Sequence, residues 1–472
     1  MQIHRQTRTG VAALRSRRFA SPRATSSVWW LQHLRATLTF LLTTAAVLPI
    51  AVGLGIWRAN TQAADAPSAV FHAFDGRPAG ERAVDEAQQR LTRSPGDSQA
   101  MVRLVAAYLL RVRETGDATY YAKADALLIA ALAKNPADFD AMVVASSLAA
   151  ARHEFGEALS WATEAAAAAP TRPVAYGALT DALVELGRYE EAVDAAQTMV
   201  DLRPDQASYA RISYLRELHG DTNGAIAAMR QAISAGAPNS EATAWSEYQL
   251  ANLLFALGDL DGAEQAYVSA GLRQPSYVYS VAGRARVRAA RGDLIGSAAL
   301  YEQAVSQMPL PEFAASLGDV YERMGQVDQA ARQHELVVAF QRLQAANGVN
   351  VDVDLALYNV DHGVDLERAL QAARLEYSRR PSIHVADILA WIEYQIGDLY
   401  AANEHSTVAM HLGSRDPLML YRAGVIAQAV GDDEKARTLL GESHELNSQF
   451  SIRWAADLAR RLAALADKGG QG

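Results

Sequence analysis

The 472-residue sequence contains no cysteine. This absence excludes disulfide bonds, thiolate metal sites, iron–sulfur clusters, covalent c-type haem, cysteine nucleophiles and cysteine lipidation. Aromatic residues are also few, at 7%, whereas half of the residues are apolar and alanine dominates that half. Alanine is the strongest helix former and has little volume, so this composition favours closely packed helices over a β-sandwich.

Motifs of known catalytic chemistry are missing as well. The sequence has no Gly-x-x-x-x-Gly-Lys phosphate loop, no Gly-x-Gly-x-x-Gly turn and no Gly-x-Ser-x-Gly elbow. Three His-Glu pairs occur (His153-Glu154, His334-Glu335 and His444-Glu445), and none is followed by a histidine at zinc-protease spacing. We therefore predict that the protein is not an enzyme and has no catalytic residues, no cofactor and no metal site.

Acidic residues are absent before Asp65, a stretch that carries eight arginines. The other 36 basic residues face 53 acidic ones, which leaves the remaining chain with a net charge of −17. Binding to nucleic acid relies on a basic surface that neutralises phosphates. We therefore predict no nucleic-acid partner.

An uncharged segment of 22 residues, 36–57, lies between Arg35 and Arg58. As a helix it would extend about 33 Å, enough to cross the ~30 Å hydrocarbon core of a bilayer. Tryptophans flank it at positions 29, 30 and 57, as is typical of membrane interfaces. Because seven arginines precede it, the positive-inside rule predicts a basic cytoplasmic tail (1–35), a transmembrane helix (36–57), a linker (58–78) and an extracytoplasmic remainder.

Other interpretations of the N-terminus remain open. A cleaved signal peptide would have a shorter apolar region, of about 7–15 residues, although Ala64-Asp65-Ala66 has the spacing of a cleavage site. Ser16-Arg17-Arg18-Phe19 weakly resembles a twin-arginine signal, and residues 1–27 have the composition of an organelle presequence. The alanine-rich sequence with one anchor has a bacterial character, which would place the remainder in the periplasm or at the cell exterior.

Prolines recur at a fixed interval. Pro136, Pro170, Pro204 and Pro238 are each 34 residues apart, and Pro275 and Pro309 repeat that spacing. Proline lacks an amide hydrogen and has a fixed φ, so it separates one helix from the next. The spacing predicts a repeated helix–turn–helix unit.

Each unit also carries a glycine followed, five residues later, by alanine. The pattern occurs in 186–192 (LGRYEEA), 257–263 (LGDLDGA), 324–330 (MGQVDQA) and 396–402 (IGDLYAA). Glycine suits the left-handed turn after a helix, and alanine allows close helix packing. These features resemble the tetratricopeptide repeat (TPR) family over about ten units between residues 97 and 448. The resemblance implies an all-α, right-handed α-solenoid of about ten TPR helix pairs plus a capping helix over residues 79–467, with a disordered tail at 468–472.

Some units depart from the pattern. The eighth follows a long segment, Gln341 to Val349, and Val364 stands where glycine is expected. We expect an extended helix or a change of pitch there. A helix over about 80–92 is predicted before the array, and a terminal helix over 450–467 after it.

Family resemblance implies a concave groove, lined mainly by the first helices, that binds a protein or peptide partner. Aromatic and arginine side chains are typical anchors of such surfaces. The candidate groove residues are Tyr214, Trp245, Tyr248, Asn252, Phe255, Tyr279, Arg286, Asp319, Tyr358, Asp361, His362, His384, Asp387, Trp391 and Tyr394. Further acidic residues at groove positions are Asp181, Glu185, Glu217 and Glu322.

This acidic lining favours a basic or neutral partner. The chain has only four lysines, none at a groove position, so we predict that it does not clamp acidic C-terminal tails. The sequence therefore predicts a membrane-tethered scaffold for protein–protein interactions.

A second interpretation is an extracytoplasmic ligand-binding protein or metal-dependent enzyme. Asp361-His362 would have to converge with His384 and Asp387 across adjacent first helices, and form a metal site or a proton-transfer pair there. Solvated or locally hydrogen-bonded groove residues would explain the same pattern.

Overall fold

The computed structural model describes residues 77–346 and 353–469. By its contacts the chain divides into two units, 1–76 and 77–472, and the described residues all belong to the second. The predicted tail and transmembrane segment, 1–57, lie outside the described residues. Among the residues that the structure describes, no helix is long and apolar enough to cross a membrane.

The described residues form 22 α-helices and no β-strand. The helices are α1 (Ala79–Arg93), α2 (Ser98–Thr115), α3 (Thr119–Lys134), α4 (Phe139–Ala151), α5 (Phe155–Ala168), α6 (Pro173–Glu185), α7 (Tyr189–Leu202), α8 (Gln206–Leu218), α9 (Thr222–Ala235), α10 (Glu241–Ala256), α11 (Leu260–Arg273), α12 (Val278–Ala290), α13 (Leu294–Gln307), α14 (Pro311–Arg323), α15 (Val327–Ala346), α16 (Val353–Asp361), α17 (Leu366–Arg379), α18 (Ile383–Ile396), α19 (Leu399–Ala409), α20 (Pro417–Ala429), α21 (Asp433–Asn447) and α22 (Ala455–Gly469).

Helices α2 to α21 form ten consecutive pairs, which we call units one to ten, with α1 before them and α22 after them. Within each unit the two helices pack against each other, and the second helix also contacts the next unit; at the junction of units seven and eight this contact joins His334 of α15 to Tyr358 of α16. The predicted all-helical repeat array is therefore confirmed.

The repeated glycine and alanine have the roles that the sequence predicts. Gly187 follows the end of α6 with φ of 70°, in the left-handed region that glycine adopts without a steric penalty. The alanine five residues later, Ala192, is completely buried between the two helices of its unit, and its small side chain permits their close approach.

The eighth unit corrects one detail of the sequence analysis. Glycine is present at its turn, since Gly363 has φ of 67°. The turn is one residue longer than in the third unit, because Val364 and Asp365 both precede α17, and this insertion shifted the expected alignment. The long segment before this unit does begin as an extended helix, since α15 continues for 20 residues to Ala346.

The C-terminal helix also differs from the prediction. It begins at Ala455 instead of residue 450, and it includes 468 and 469, which were assigned to a disordered tail. Residues 450–454, which we call the C-terminal segment, are non-helical. Phe450 is buried there against the ring of Tyr421, and this packing turns the chain before the helix begins.

Distant units contact each other within the array. Arg380, after unit eight, donates to Glu185 of unit three at 2.6 Å, and the amide of Ile383 donates to the hydroxyl of Tyr189 at 2.7 Å. Asn447, at the end of unit ten, donates to the carbonyl oxygen of Phe255 in unit five at 2.6 Å. These partners are 192–195 residues apart, so units three to five pack against the junctions that follow units eight to ten.

Candidate protein-binding groove

A cavity of about 1050 Å³ opens on the first helices of units three to six, α6, α8, α10 and α12. We call it the groove cavity. Its lining includes one residue from unit ten, Asp416, because that junction packs against unit four. The full lining is Asp181, Glu185, Arg203, Asp205, Gln206, Ala207, Ala210, Arg211, Tyr214, Glu217, Met229, Ala235, Ala242, Trp245, Ser246, Gln249, Asn252, Leu253, Ala256, Arg286 and Asp416.

Four of the candidate groove residues, Tyr214, Trp245, Asn252 and Arg286, meet in this cavity, together with the acidic groove residues Asp181, Glu185 and Glu217. Trp245 is 38% exposed and Tyr214 is 44% exposed, large fractions for such side chains within a cavity. Asn252 accepts a hydrogen bond from the hydroxyl of Tyr267 at 2.6 Å, and Arg286 lies 3.9 Å over the ring of Phe255. The structure therefore combines an exposed aromatic surface with polar groups held in place by their neighbours.

Most acidic groups of the groove cavity are paired with arginine. Arg211 donates to both carboxylate oxygens of Asp181, at 2.8 and 2.5 Å. Arg380 donates to Glu185 at 2.6 Å. Arg203 lies 3.1 Å from Asp205, which also forms the N-cap of α8.

Glu217 is different. Among the described residues, none forms a hydrogen bond or ion pair with its carboxylate. Burial in the cavity, together with repulsion from Asp416, raises the pKa of Glu217 to about 7. Asp416 itself accepts hydrogen bonds from the amides of Leu418 and Met419 at the start of α20, at 2.8 and 2.9 Å.

His384 lies in a second cavity, of about 320 Å³, which shares Tyr214 and Glu185 with the first. Arg380 also lines this cavity. Tyr214 lines both cavities, and partial desolvation there, together with the nearby Glu185, raises the pKa of its hydroxyl.

Tyr248 and Tyr279 lie beside the groove cavity in an aromatic cluster. The ring of Tyr248 is 5.6–6.1 Å from those of Tyr267, Tyr277 and Tyr279. Such edge and tilted contacts stabilise packing between units five and six. These two predicted residues are half-buried and structural in their contacts.

The remaining candidates lie on units seven to nine, where the C-terminal segment covers the first helices. Arg453 donates to Asp319 at 2.5 Å and to Glu322 at 2.8 Å. It also donates to the carbonyl oxygen of Asp361 at 3.2 Å and lies 2.5 Å from His362 Nε2. Although burial acts in the opposite direction, the hydrogen bond from His362 and the charge of Arg453 lower the pKa of Asp319.

Trp454 follows and covers the aromatic residues of units nine and ten. Its ring is 5.3 Å from Trp391 and 5.9 Å from Tyr421. Trp391 is only 1% exposed, stacks on Tyr394 and donates its indole N–H to Asp361 at 2.8 Å.

Three predicted groove residues are therefore core residues. Phe255 and Trp391 are buried, and Asp387 is buried in an ion pair with Arg422 at 2.6 Å. The sequence analysis placed them on the groove by their position on first helices. Arg286 lies over the ring of Phe255, and Trp454 of the C-terminal segment covers Trp391.

The predicted convergence of His362 with His384 is not observed. His362 lies with Asp319 and Glu322, whereas His384 lies beside Glu185 and Arg380. Ligand atoms of Glu322, His334 and His362 do lie within 4.8 Å of one another. Because the Arg453 guanidinium contacts Glu322 and His362 at the same point, the cluster is better described as an ion-pair network than as a metal site.

Tyr358 completes that network. Its hydroxyl is hydrogen bonded to His334, and its carbonyl oxygen accepts from Nδ1 of His362 at 2.7 Å. Tyr358 therefore orients two imidazoles, that of His334 on α15 and that of His362 directly after α16. Burial and the nearby Asp319 raise the pKa of the Tyr358 hydroxyl.

Sequence reasoning missed Asp416 and Arg453. Asp416 precedes Pro417 and is the N-cap of α20, a signal for helix initiation that does not indicate its position in a cavity 200 residues away. Arg453 lies beyond the last repeat and contacts a residue 134 positions earlier. No local pattern reveals either contact.

Comparison with known proteins agrees with the repeated helix pairs described above. Residues 149–213, from the end of α4 into α8, match the tetratricopeptide repeat family. No curated protein matches this chain. The crystal structure of yeast Tom70 is similar, with 14% identity, a TM-score of 0.38, and coverage of 83% of this chain and 86% of that chain. A likeness at that level carries no inference about partners.

Proposed function

We propose that this TPR protein is a scaffold that binds an extended segment of a protein partner in the groove cavity of units three to six. One observation supports the proposal most strongly: a cavity of about 1050 Å³ lined by four successive first helices exposes Trp245 and Tyr214. Large aromatic residues are the typical anchors of protein interfaces. The volume slightly exceeds the about 300–1,000 Å³ typical of small-molecule pockets.

The proposal includes the finer features that the sequence predicts. The ten units form a right-handed superhelix, residues 36–57 cross a membrane, and the array lies on the extracytoplasmic side, in a bacterial periplasm or at the cell exterior. An anchor confines the scaffold to the membrane surface and raises its effective concentration for partners there. The role is non-enzymatic, and the partner is basic or neutral.

Site-specific crosslinking tests the groove. Trp245 is replaced by a photoreactive phenylalanine derivative in the full chain, expressed in its own cells. We expect a discrete adduct that weakens when Tyr214→Ala is added. Tyr400, 76% exposed on the second helix of unit nine, is the matched control position. An adduct of equal yield at Tyr400, or one unaffected by Tyr214→Ala, would contradict groove binding.

The membrane proposal is tested separately. The full chain and a variant lacking 36–57 are fractionated, and vesicles are treated with protease. We expect only the full chain to resist carbonate extraction, and its TPR domain to be digested only from the extracytoplasmic side. Carbonate extraction of the full chain would contradict the anchor without affecting the groove proposal.

A further inference from the structure

At some sites of this array one arginine joins two carboxylates. Two such sites are half-buried or buried, and in each a single guanidinium donates to two acidic residues. The two triads are Asp319–Arg453–Glu322, at 2.5 and 2.8 Å, and Glu185–Arg380–Glu376, at 2.6 Å to both. Arginine offers several donors in a planar fork, so it can satisfy two carboxylates at once.

Glu217 and Asp416, which we call the Glu217–Asp416 pair, line the same cavity, and among the described residues no arginine donates to either carboxylate. Glu217 comes from α8 and Asp416 from the junction before α20, and both line the groove cavity. Asp416 is held by two backbone amides, whereas no described residue donates to Glu217. Two carboxylates that repel each other in a partly desolvated cavity cost stability unless a cation lies between them.

The residues around Glu217 and Asp416 favour a ligand side chain that is positively charged and planar. Tyr214 lies one turn before Glu217 on α8, and Trp245 lies on the first helix of the next unit. Guanidinium groups stack on aromatic faces and bind carboxylates in a bidentate manner, whereas a lysine ammonium acts as a point charge. The three arginines that line the cavity are already engaged, Arg211 with Asp181, Arg203 with Asp205, and Arg286 with the ring of Phe255.

We propose that the Glu217–Asp416 pair binds an arginine side chain of the partner segment that occupies the groove cavity. This inference rests on the proposed function and specifies the partner's chemistry. The partner's arginine completes a triad of the kind that Arg453 and Arg380 complete within the chain. Neighbouring residues of the partner pack against Tyr214 and Trp245.

A displayed library of random linear peptides tests the inference. The full chain in detergent is the bait, and Glu217→Gln is the counter-selection bait, so that peptides binding the arginine-rich N-terminus are removed. Selected peptides are synthesised with fluorescein, and their affinities are measured by anisotropy. Citrulline, the neutral isostere of arginine, replaces each arginine in turn. Glu190→Gln, an exposed carboxylate on α7, is the matched control.

We expect selected peptides to share one arginine. Its replacement by citrulline, and Glu217→Gln in the protein, each weaken binding at least tenfold, and the two changes together are not additive because they remove the same contact. Glu190→Gln has no effect. Peptides that depend on Trp245 but bind Glu217→Gln with unchanged affinity would overturn the arginine site and leave the groove function intact. Peptides insensitive to Trp245→Ala and Tyr214→Ala, or a library that yields none, would overturn both.

Discussion

The first helices of this array form two stretches that differ in what covers them. On units seven to ten, the protein's own C-terminal segment supplies Arg453 to Asp319 and Glu322, and Trp454 to Trp391 and Tyr421. On units three to six, the corresponding helices surround an open cavity with exposed aromatic residues. Equivalent positions of a repeat therefore serve as core in one stretch and as surface in the other.

This difference separates the packing that maintains the fold from the surface that we propose binds a partner. Packing within a unit is repeated along the chain, so it maintains the fold equally everywhere. Function depends on where a groove remains unfilled. In this protein the covered stretch also shows what the open stretch lacks, namely a guanidinium beside Glu217 and Asp416 and a large ring against Tyr214 and Trp245.

The largest difference in the free energy of unfolding is expected between alanine substitutions of two tryptophans. Trp391→Ala removes a fully buried side chain and leaves a cavity, so we expect a loss of about 3–5 kcal/mol in the free energy of unfolding. Trp245→Ala removes a 38% exposed ring and should cost less than about 1 kcal/mol, although it weakens peptide binding. Denaturant unfolding of both variants measures the difference. Equal losses would mean that Trp245 is a core residue as well.

The next largest loss of stability is expected from a substitution in the C-terminal segment. Arg453→Met leaves Asp319 and Glu322 without their shared cation, and we expect a loss of about 2–3 kcal/mol, since the site is only partly buried. Adding Asp319→Asn should restore part of the loss, because the unmatched charge is removed. Arg460→Met, at an exposed pair with Asp457, is the control and should change the unfolding midpoint very little. Strict additivity in the double variant would contradict the shared-cation interpretation.

A smaller difference in stability is expected between alanine substitutions of two turn glycines. Gly187 and Gly325 have nearly the same φ, 70° and 73°. A Cβ atom on Gly187 would lie 2.5 Å from the carbonyl oxygen of Pro381, whereas one on Gly325 meets no atom within 4 Å. Gly325→Ala should therefore cost about 1 kcal/mol for the left-handed backbone alone, and Gly187→Ala about 2 kcal/mol. Thermal unfolding measures both; equal shifts would mean that unit three does not pack against the junction after unit eight.

The array itself could be predicted because its signals are local. The proline spacing, Gly187 and Ala192 each act within one unit, and an inserted residue near Val364 was enough to hide Gly363. The filling of the groove could not be predicted in this way. Arg453 and Asp416 reach residues 134 and about 200 positions away, and such contacts follow from the curvature of the whole stack. The position of a residue within its repeat therefore predicts whether it lies on the groove side of a first helix. It does not predict whether the side chain is exposed there.

The smallest predicted change in the free energy of unfolding comes from Glu217→Gln, and it is a gain in stability where the other substitutions cause a loss. The pKa of Glu217 is raised from 4.5 to about 7, so the folded protein holds this proton more tightly than the unfolded chain. Its contribution to stability therefore falls as pH rises from about 4.5 to 7, and the cost is fully present above pH 7. Glu217→Gln removes that cost. We expect the variant to be about 1 kcal/mol more stable than the wild type at pH 8, a figure reduced for solvent screening, and equally stable at pH 4.5.

Denaturant unfolding at the two pH values measures this difference. Glu185→Gln is the matched control with the opposite sign, because Glu185 already has its arginine and its neutralisation leaves Arg380 with one carboxylate fewer. The same titration should appear in binding. An arginine peptide should bind the wild type less tightly at pH 5.5 than at pH 8, since Glu217 is then protonated, and the variant with nearly equal affinity at both. A Glu217→Gln protein less stable than the wild type at pH 8 would mean that this carboxylate already has a partner within the chain, and the open stretch would then resemble the covered one.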